Sequence, residues 1–221
     1  MATWIDIGSD AGPIRGWRAD PTGPSKGAVV VVQEIFGVNG HIREVVGRFA
    51  DAGFVALAPA VMDPVERGVE LDYDEAGVAR GRDLVARLGF DRAVDGVGAA
   101  ATLLQDEGLR TGVVGFCWGG SVALLGNTRL GLPAVSYYGG RSVPFLGEPL
   151  RAPMLFHFGA HDPIIPAADL QAHRDAYPQA RVFVYEDAGH GFNCDRRGDF
   201  HAASAAQAWT RTVDFLEDAL R

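Results

Sequence analysis

Three residues far apart in the chain have the types and surroundings that nucleophilic catalysis needs. Cys117 lies in Gly115-Phe-Cys-Trp-Gly119, after an apolar β-branched run and before a helical one. In a G-x-C-x-G frame the turn is so tight that only glycine fits at the flanks, and the central residue is held strained with its side chain exposed. Its sulfur then sits near the N-terminus of the next helix, where the dipole and free N–H groups favour a thiolate. Cysteine is more often a small buried hydrophobe; the glycine frame turns the reading toward a nucleophile. A nucleophile needs a base and a group that orients the base. Asp162 follows an apolar run in Phe158-Gly-Ala-His-Asp-Pro163, and His190 stands between glycines in Ala188-Gly-His-Gly-Phe192. Taken singly, Asp162 before Pro163 reads as a turn former and His190 as a surface-loop histidine. His161 competes for the base but lacks the glycine frame. Taken together, each after a strand and in the order nucleophile, acid, base, Cys117, Asp162 and His190 read as a triad.

The elements that must position them follow from hydrophobic periodicity. Ala28–Val32 is a continuous β-branched run, the pattern of a strand buried on both faces of a parallel sheet. Ile42, Val45, Val46 and Phe49 give a helical stripe that ends near Gly53. Further strands are expected at 54–58, Thr111–Phe116, 134–138, 154–158 and Arg181–Tyr185. Helices are expected after Cys117 (121–125), through Val94, Val97, Ala101 and Leu104, and at the C-terminus through Trp209, Val213, Leu216 and Leu220. Strands alternate with helices, so the fold class is α/β with a mostly parallel sheet and helices on both faces. Residues 3–19 read as one or two antiparallel edge strands. Residues 60–90 carry little pattern beyond a helix near 84–88. Catalytic residues at strand ends fall on the carboxyl edge, where open α/β sheets bind ligands.

Composition narrows the partners. The chain has 221 residues, 48% hydrophobic and 22% charged, which fits one globular domain spanning 1–221. A net charge of −8 argues against nucleic acid and against a basic membrane-binding face. No apolar run is long enough to span a bilayer, and the N-terminus has no secretory pattern. Two cysteines make no disulfide framework, so the expected compartment is a reducing cytoplasm. No metal is expected: Cys117, Cys194, His190 and Asp162 have no C-x-x-C or H-x-x-x-H spacing. No cofactor is expected either, because no glycine-rich phosphate signature follows the first central strand. Nothing demands a protein partner, and a monomer is the default.

The chain resembles the dienelactone hydrolase (carboxymethylenebutenolidase) family of α/β hydrolases. Four segments carry the resemblance: Gln33-Glu-Ile-Phe-Gly-Val-Asn39, Gly115-Phe-Cys-Trp-Gly-Gly120, the Asp162 loop and Ala188-Gly-His-Gly-Phe192. It implies that Cys117 attacks a lactone or ester carbonyl, that His190 carries the proton, and that Asp162 holds His190. Glu34 would contact the nucleophile at rest and help to activate it. Backbone N–H groups of Ile35 and Trp118 would receive the oxyanion. Arg80, with Arg82 as the alternative, would bind a substrate carboxylate, and Phe36, Trp118 and Phe192 would form apolar walls. The family's second carboxylate-binding arginine falls four residues after the histidine, where this chain has Cys194. A thiol cannot make arginine's bidentate clamp, so either Arg196 or Arg197 reaches in or the substrate is less anionic. Cys194 also raises an oxidative disulfide to Cys117, against the plainer reading of an unpaired, partly buried thiol. The implied activity is opening of a lactone or activated ester through a cysteinyl acyl intermediate, dienelactone-type substrates first. The alternatives are a general carboxylesterase or thioesterase and a non-catalytic small-molecule-binding protein on the same fold.

Overall fold

A computed structural model of the chain describes residues 2–9 and 12–221. Among the described residues, eight strands form one sheet: β1 (Thr3–Ile7), β2 (Ile14–Ala19), β3 (Ala28–Val32), β4 (Val55–Pro59), β5 (Thr111–Phe116), β6 (Ala134–Tyr137), β7 (Met154–Gly159) and β8 (Arg181–Tyr185). Their spatial order is β1-β2-β4-β3-β5-β6-β7-β8. β2 runs antiparallel to both β1 and β4, and every other pairing is parallel. The expected N-terminal edge strands are therefore β1 and β2; residues 10 and 11 between them lie outside the described residues. β3 to β7 are buried at every position, because both faces of the sheet are covered. The edge strands β1 and β8 are only partly buried.

Among the described residues, four α-helices connect strands, α1 (Gly40–Asp51), α2 (Glu75–Asp106), α3 (Trp118–Leu130) and α4 (Ala167–Ala176), and α5 (Ala202–Ala219) follows the last strand. α1 starts where the Asn39 side chain accepts the Ile42 N–H, and its apolar stripe packs under β4. α3 lies between α2 and strands β5 and β6, which explains why nearly all of its residues are buried.

Residues 60–90 prove more ordered than their pattern implied. α2 starts at Glu75, capped by the Asp74 carboxylate on the Gly77 N–H at 2.7 Å. It bends at Gly89 (φ 75°), which separates the stretch containing 84–88 from the Val94–Leu104 stripe. Glycine at 81 weakens the helical signal for a packing reason. A Cβ there would stand 2.3 Å from the Ile35 carbonyl oxygen, so glycine lets α2 lie directly on the turn after β3. α4 was not expected, because only Leu170 and His173 on it are buried.

Candidate active site

The parallel strands deliver the chemistry-bearing residues to one edge. Glu34 follows β3, Cys117 follows β5, Tyr138 follows β6, Asp162 follows β7 and His190 follows β8. Those five strands are adjacent in the sheet, so their carboxyl ends converge without long loops.

Cys117 sits in the turn from β5 to α3 with φ 54° and ψ −119°, one of two non-glycine residues with positive φ among the described residues. The turn closes tightly. A Cβ on Gly115 would meet the Gly119 oxygen at 1.8 Å, and one on Gly119 would meet the Gln33 oxygen at 2.3 Å. The second clash shows why the elbow and the Glu34 loop can lie side by side. The Cys117 N–H donates to the Tyr137 oxygen at 3.0 Å, which ties the tip to β6.

The Cys117 Sγ lies 3.1 Å from His190 Nε2, and His190 Nδ1 lies 2.8 Å from Asp162 Oδ2. The second Asp162 oxygen accepts the Ile164 N–H at 2.8 Å, so the carboxylate is held at both ends. Gly159 permits this meeting, since a Cβ there would strike the Ala188 oxygen at 2.4 Å. Burial alone would lower the His190 pKa, but its hydrogen bonds to Asp162 and Cys117 outweigh burial and raise it to about 10. The pair thus favours imidazolium facing sulfur. The Tyr138 ring packs edge-on against His190 at 5.2 Å, and its hydroxyl is buried with no protein partner among the described residues.

Ile35, in the turn after β3, and Trp118, at the first position of α3, line the same pocket as Cys117. Neither residue's backbone N–H donates to a backbone carbonyl among the described residues. The pocket, about 150 Å³, has apolar walls from Phe36, Val78, Trp118 and Ile164 and three cations, Arg82, Arg141 and Arg197. Arg82 and Arg141 form no ion pair among the described residues.

Three expectations need correction, and a fourth residue, Cys194, takes the plainer of its two readings. Glu34 does not hydrogen-bond to Cys117. Fully buried, it accepts from the Tyr73 hydroxyl at 2.9 Å and pairs with Arg197 at 3.3 Å, so both of its oxygens are engaged elsewhere. Arg80 does not reach the pocket; it pairs with Glu66 and with Asp83 at 2.8 Å, while Arg82 lines the pocket with Val78. The cause is helical register: Val78 and Arg82 are four residues apart on one face, and Arg80 points roughly the opposite way. Phe192 is no wall. It is fully buried against Tyr137, Tyr138 and Tyr185, behind the site. Cys194 is fully buried and unpaired, beside Tyr73; burial, then the Glu34 charge, pushes its thiol up to about 11. Of the two candidate arginines after it, Arg196 points outward to Glu44 and Arg197 enters the pocket. Sequence reasoning missed Tyr73, Tyr138 and Arg141. Tyr73 lay in the unpatterned stretch, and Tyr138 read as the last residue of a strand.

A dienelactone hydrolase family model matches residues 14–220. The chain belongs to the dienelactone hydrolase family. A Synechocystis sp. protein provisionally named carboxymethylenebutenolidase is 31% identical over 239 residues, covering 99% of this chain and 97% of that one. The carboxymethylenebutenolidase of Pseudomonas putida is 32% identical over 198 residues, covering 85% and 84%. A crystal structure from Klebsiella pneumoniae, provisionally described as a dienelactone hydrolase, superposes with a TM-score of 0.86 at 29% identity, covering 97% of each chain. The fold is that of the α/β hydrolases, and the protein is a dienelactone hydrolase-like hydrolase of small-molecule esters. No helix among the described residues is long and apolar enough to cross a membrane.

Proposed function

We propose that this protein opens lactones or activated esters through a thioester on Cys117, with dienelactone-type substrates first. The observation that carries the reading is the chain of contacts Cys117–His190–Asp162, at 3.1 and 2.8 Å, whose first two members line a small pocket. His190 takes the thiol proton, and the sulfur attacks the carbonyl carbon, forming a C–S bond. The Ile35 and Trp118 N–H groups receive the oxyanion; each such donor is worth on the order of 100-fold in rate or more. Collapse breaks the acyl C–O bond, and His190 returns its proton to the leaving oxygen. Water then attacks the thioester, His190 takes its proton, and the carboxylic acid leaves as Cys117 is regenerated. Asp162 keeps Nδ1 protonated and so leaves Nε2 facing sulfur.

Arg82, Arg141 and Arg197 favour a substrate that carries a carboxylate. Arg197 stands in for the arginine that Cys194 replaces, reaching the site from seven residues beyond His190 rather than four. The apolar walls favour a flat ring over an extended acyl chain. The protein works as one α/β-hydrolase domain in a reducing compartment that keeps Cys117 as a free thiol.

Turnover of dienelactone, a neutral lactone of similar size and an uncharged aryl ester tests the substrate class. The lactone carboxylate is expected to improve kcat/KM at least roughly tenfold over the neutral lactone, the worth of one hydrogen bond to a charged group. Equal values would leave a general carboxylesterase, and no turnover of any of the three would favour a binding protein.

A further inference from the structure

Two of the pocket's cations come from opposite sides of Cys117. Cys117 follows β5, whose neighbours in the sheet are β3 on one side and β6, then β7, on the other. Arg82 belongs to the β3 side. It comes directly after Gly81, where α2 rests on the Ile35 carbonyl of the turn after β3. Arg141 belongs to the β6 side. It comes directly after Gly140, where a Cβ would stand 3.0 Å from the Ile165 side chain and 3.5 Å from that of Ile164, in the turn after β7. Its backbone is fixed: the Arg141 N–H donates to the Ser121 hydroxyl at 3.1 Å, and the buried Ser142 hydroxyl donates to the Gly139 oxygen at 2.8 Å. Each cation has an apolar neighbour in the pocket wall, Val78 one helical turn before Arg82 and Ile164 beside Gly140.

Charge separates these two from the third cation. Arg197 pairs with Glu34 at 3.3 Å and with Asp199 at 3.6 Å, so its charge is compensated within the protein. Arg82 and Arg141 have no carboxylate partner among the described residues. β3 and β6 are two strand spacings apart, about 10 Å, far wider than one carboxylate, and a carbonyl carbon at the Cys117 sulfur lies between them. We infer that Arg82 and Arg141 bind two separate carboxylates, one on each side of the scissile bond, so that the substrate is a lactone or ester anionic on both its acyl half and its alcohol half. The inference rests on Cys117 being the nucleophile, which fixes where the carbonyl stands. A dianion gives each guanidinium a partner for charge-assisted hydrogen bonds, whereas a monoanion leaves one of them without. Val78 and Ile164 then cover the apolar carbons that link each carboxylate to the ester.

The test is the affinity of the native protein, Arg82→Gln and Arg141→Gln for four anilides, measured by isothermal titration calorimetry. Anilides keep the shape of aryl esters and resist cleavage. Acetanilide is neutral, glutaric acid monoanilide carries a carboxylate on the acyl half, para-acetamidobenzoate carries one on the other half, and the para-carboxyanilide of glutaric acid carries both. Binding needs no turnover, so this inference and hydrolysis through Cys117 fail separately; turnover by Cys117→Ala decides the second. Both arginines are exposed, so neither substitution disturbs the core. In the native protein each carboxylate is expected to tighten binding roughly tenfold, the size of one hydrogen bond to a charged group, and the two together roughly a hundredfold. Arg141→Gln is expected to cancel the gain from one carboxylate and Arg82→Gln the gain from the other. Loss of the same carboxylate's gain in both variants would mean one shared clamp for a monoanionic substrate and would overturn the inference. So would a dianionic anilide that binds the native protein no more tightly than the two monocarboxylates, or an Arg141→Gln variant with the native protein's order and ratios of affinity.

Discussion

Cys117 holds a backbone conformation with φ 54° that costs an L-residue about 1–3 kcal/mol, and the surrounding glycines are what make it tolerable. This part of the site was legible because its cause is partly local: the clash at Gly115 is with Gly119, four positions away, although the one at Gly119 is with Gln33 at the end of a distant strand. His190 and Asp162 were legible for a similar reason, each standing in a short loop directly after a strand. The misassigned residues share a different property. Arg80 and Arg82 differ by two positions, and two positions rotate a side chain by roughly 200° around a helix. Without a fixed register for α2, a charged residue on it cannot be assigned to the pocket or to solvent. Phe192 has the same composition signal whether it lines a pocket or fills the core. Glu34 was read from its place after β3, but its partners come from Tyr73, just before α2, and from Arg197 in the loop beyond His190, and no spacing rule connects those segments. Arg141 is set by Ser121 and Ser142. The Ser121 hydroxyl accepts the Arg141 N–H at 3.1 Å and the Ser142 hydroxyl at 3.2 Å, a contact between α3 and the loop that follows β6.

At the scale of the element, the turn from β5 to α3 is the feature on which the site depends. Gly115→Ala places a Cβ against the backbone of Gly119, not against a flexible side chain, so the turn must open or the strand must shift. The expected loss is more than about 3 kcal/mol of stability, in the range of backbone strain combined with core disruption. Chemical denaturation read by circular dichroism measures it. Gly98→Ala is the control, since its nearest contact is Leu130 at 3.6 Å and its backbone is helical; there alanine is expected to be neutral or mildly stabilising. The strands of the sheet were readable because each is a buried apolar run. α2 was not, because Gly77, Gly81 and Gly89 interrupt the stripe, and each is explained only by where the chain folds. Gly77 would press a Cβ to 2.0 Å from the Asp72 oxygen, and Gly89 supplies the bend.

Across the whole molecule, the alternation of strands and helices gave the fold class, while the order of the strands needed the fold itself. The polar core is likewise invisible in sequence. His157, fully buried in β7, shares a hydrogen bond with the Tyr185 hydroxyl at 2.9 Å and lies 3.0 Å from the Thr212 hydroxyl, which in turn meets Tyr137 at 2.6 Å. Burial, then the charge of Arg211, lowers the His157 pKa to about 3, and burial also lowers His41 and His173. In the unfolded chain these rings titrate near 6.5. Below that pH the unfolded state binds more protons than the native state, so stability falls as the solution is acidified. For His157 the slope approaches about 1.4 kcal/mol per pH unit once the pH is well below 6.5 and still above about 3. His190 acts in the opposite sense, because its folded pKa is raised to about 10. Its contribution is complete below about 6.5 and is lost as pH rises through about 10. Urea midpoints are therefore expected to peak near neutral pH and to drop between pH 6.5 and 5, above the range where most carboxylates titrate. His157→Gln is expected to flatten that acid limb whatever it does to stability at pH 7.

The mass of the whole protein reports directly on whether Cys117 carries the acyl group. The protein is mixed with an aryl ester, quenched in acid during turnover and weighed intact, beside Cys117→Ala. A mass gain equal to the acyl group, mapped to the Cys117 peptide, is expected in the native protein. Cys117→Ala is expected to show no gain and to lose at least roughly 1,000-fold in kcat/KM, as other enzymes do when a triad member is removed. Turnover by Cys117→Ala at the native rate, with no acyl mass on the native protein, would contradict the cysteine mechanism.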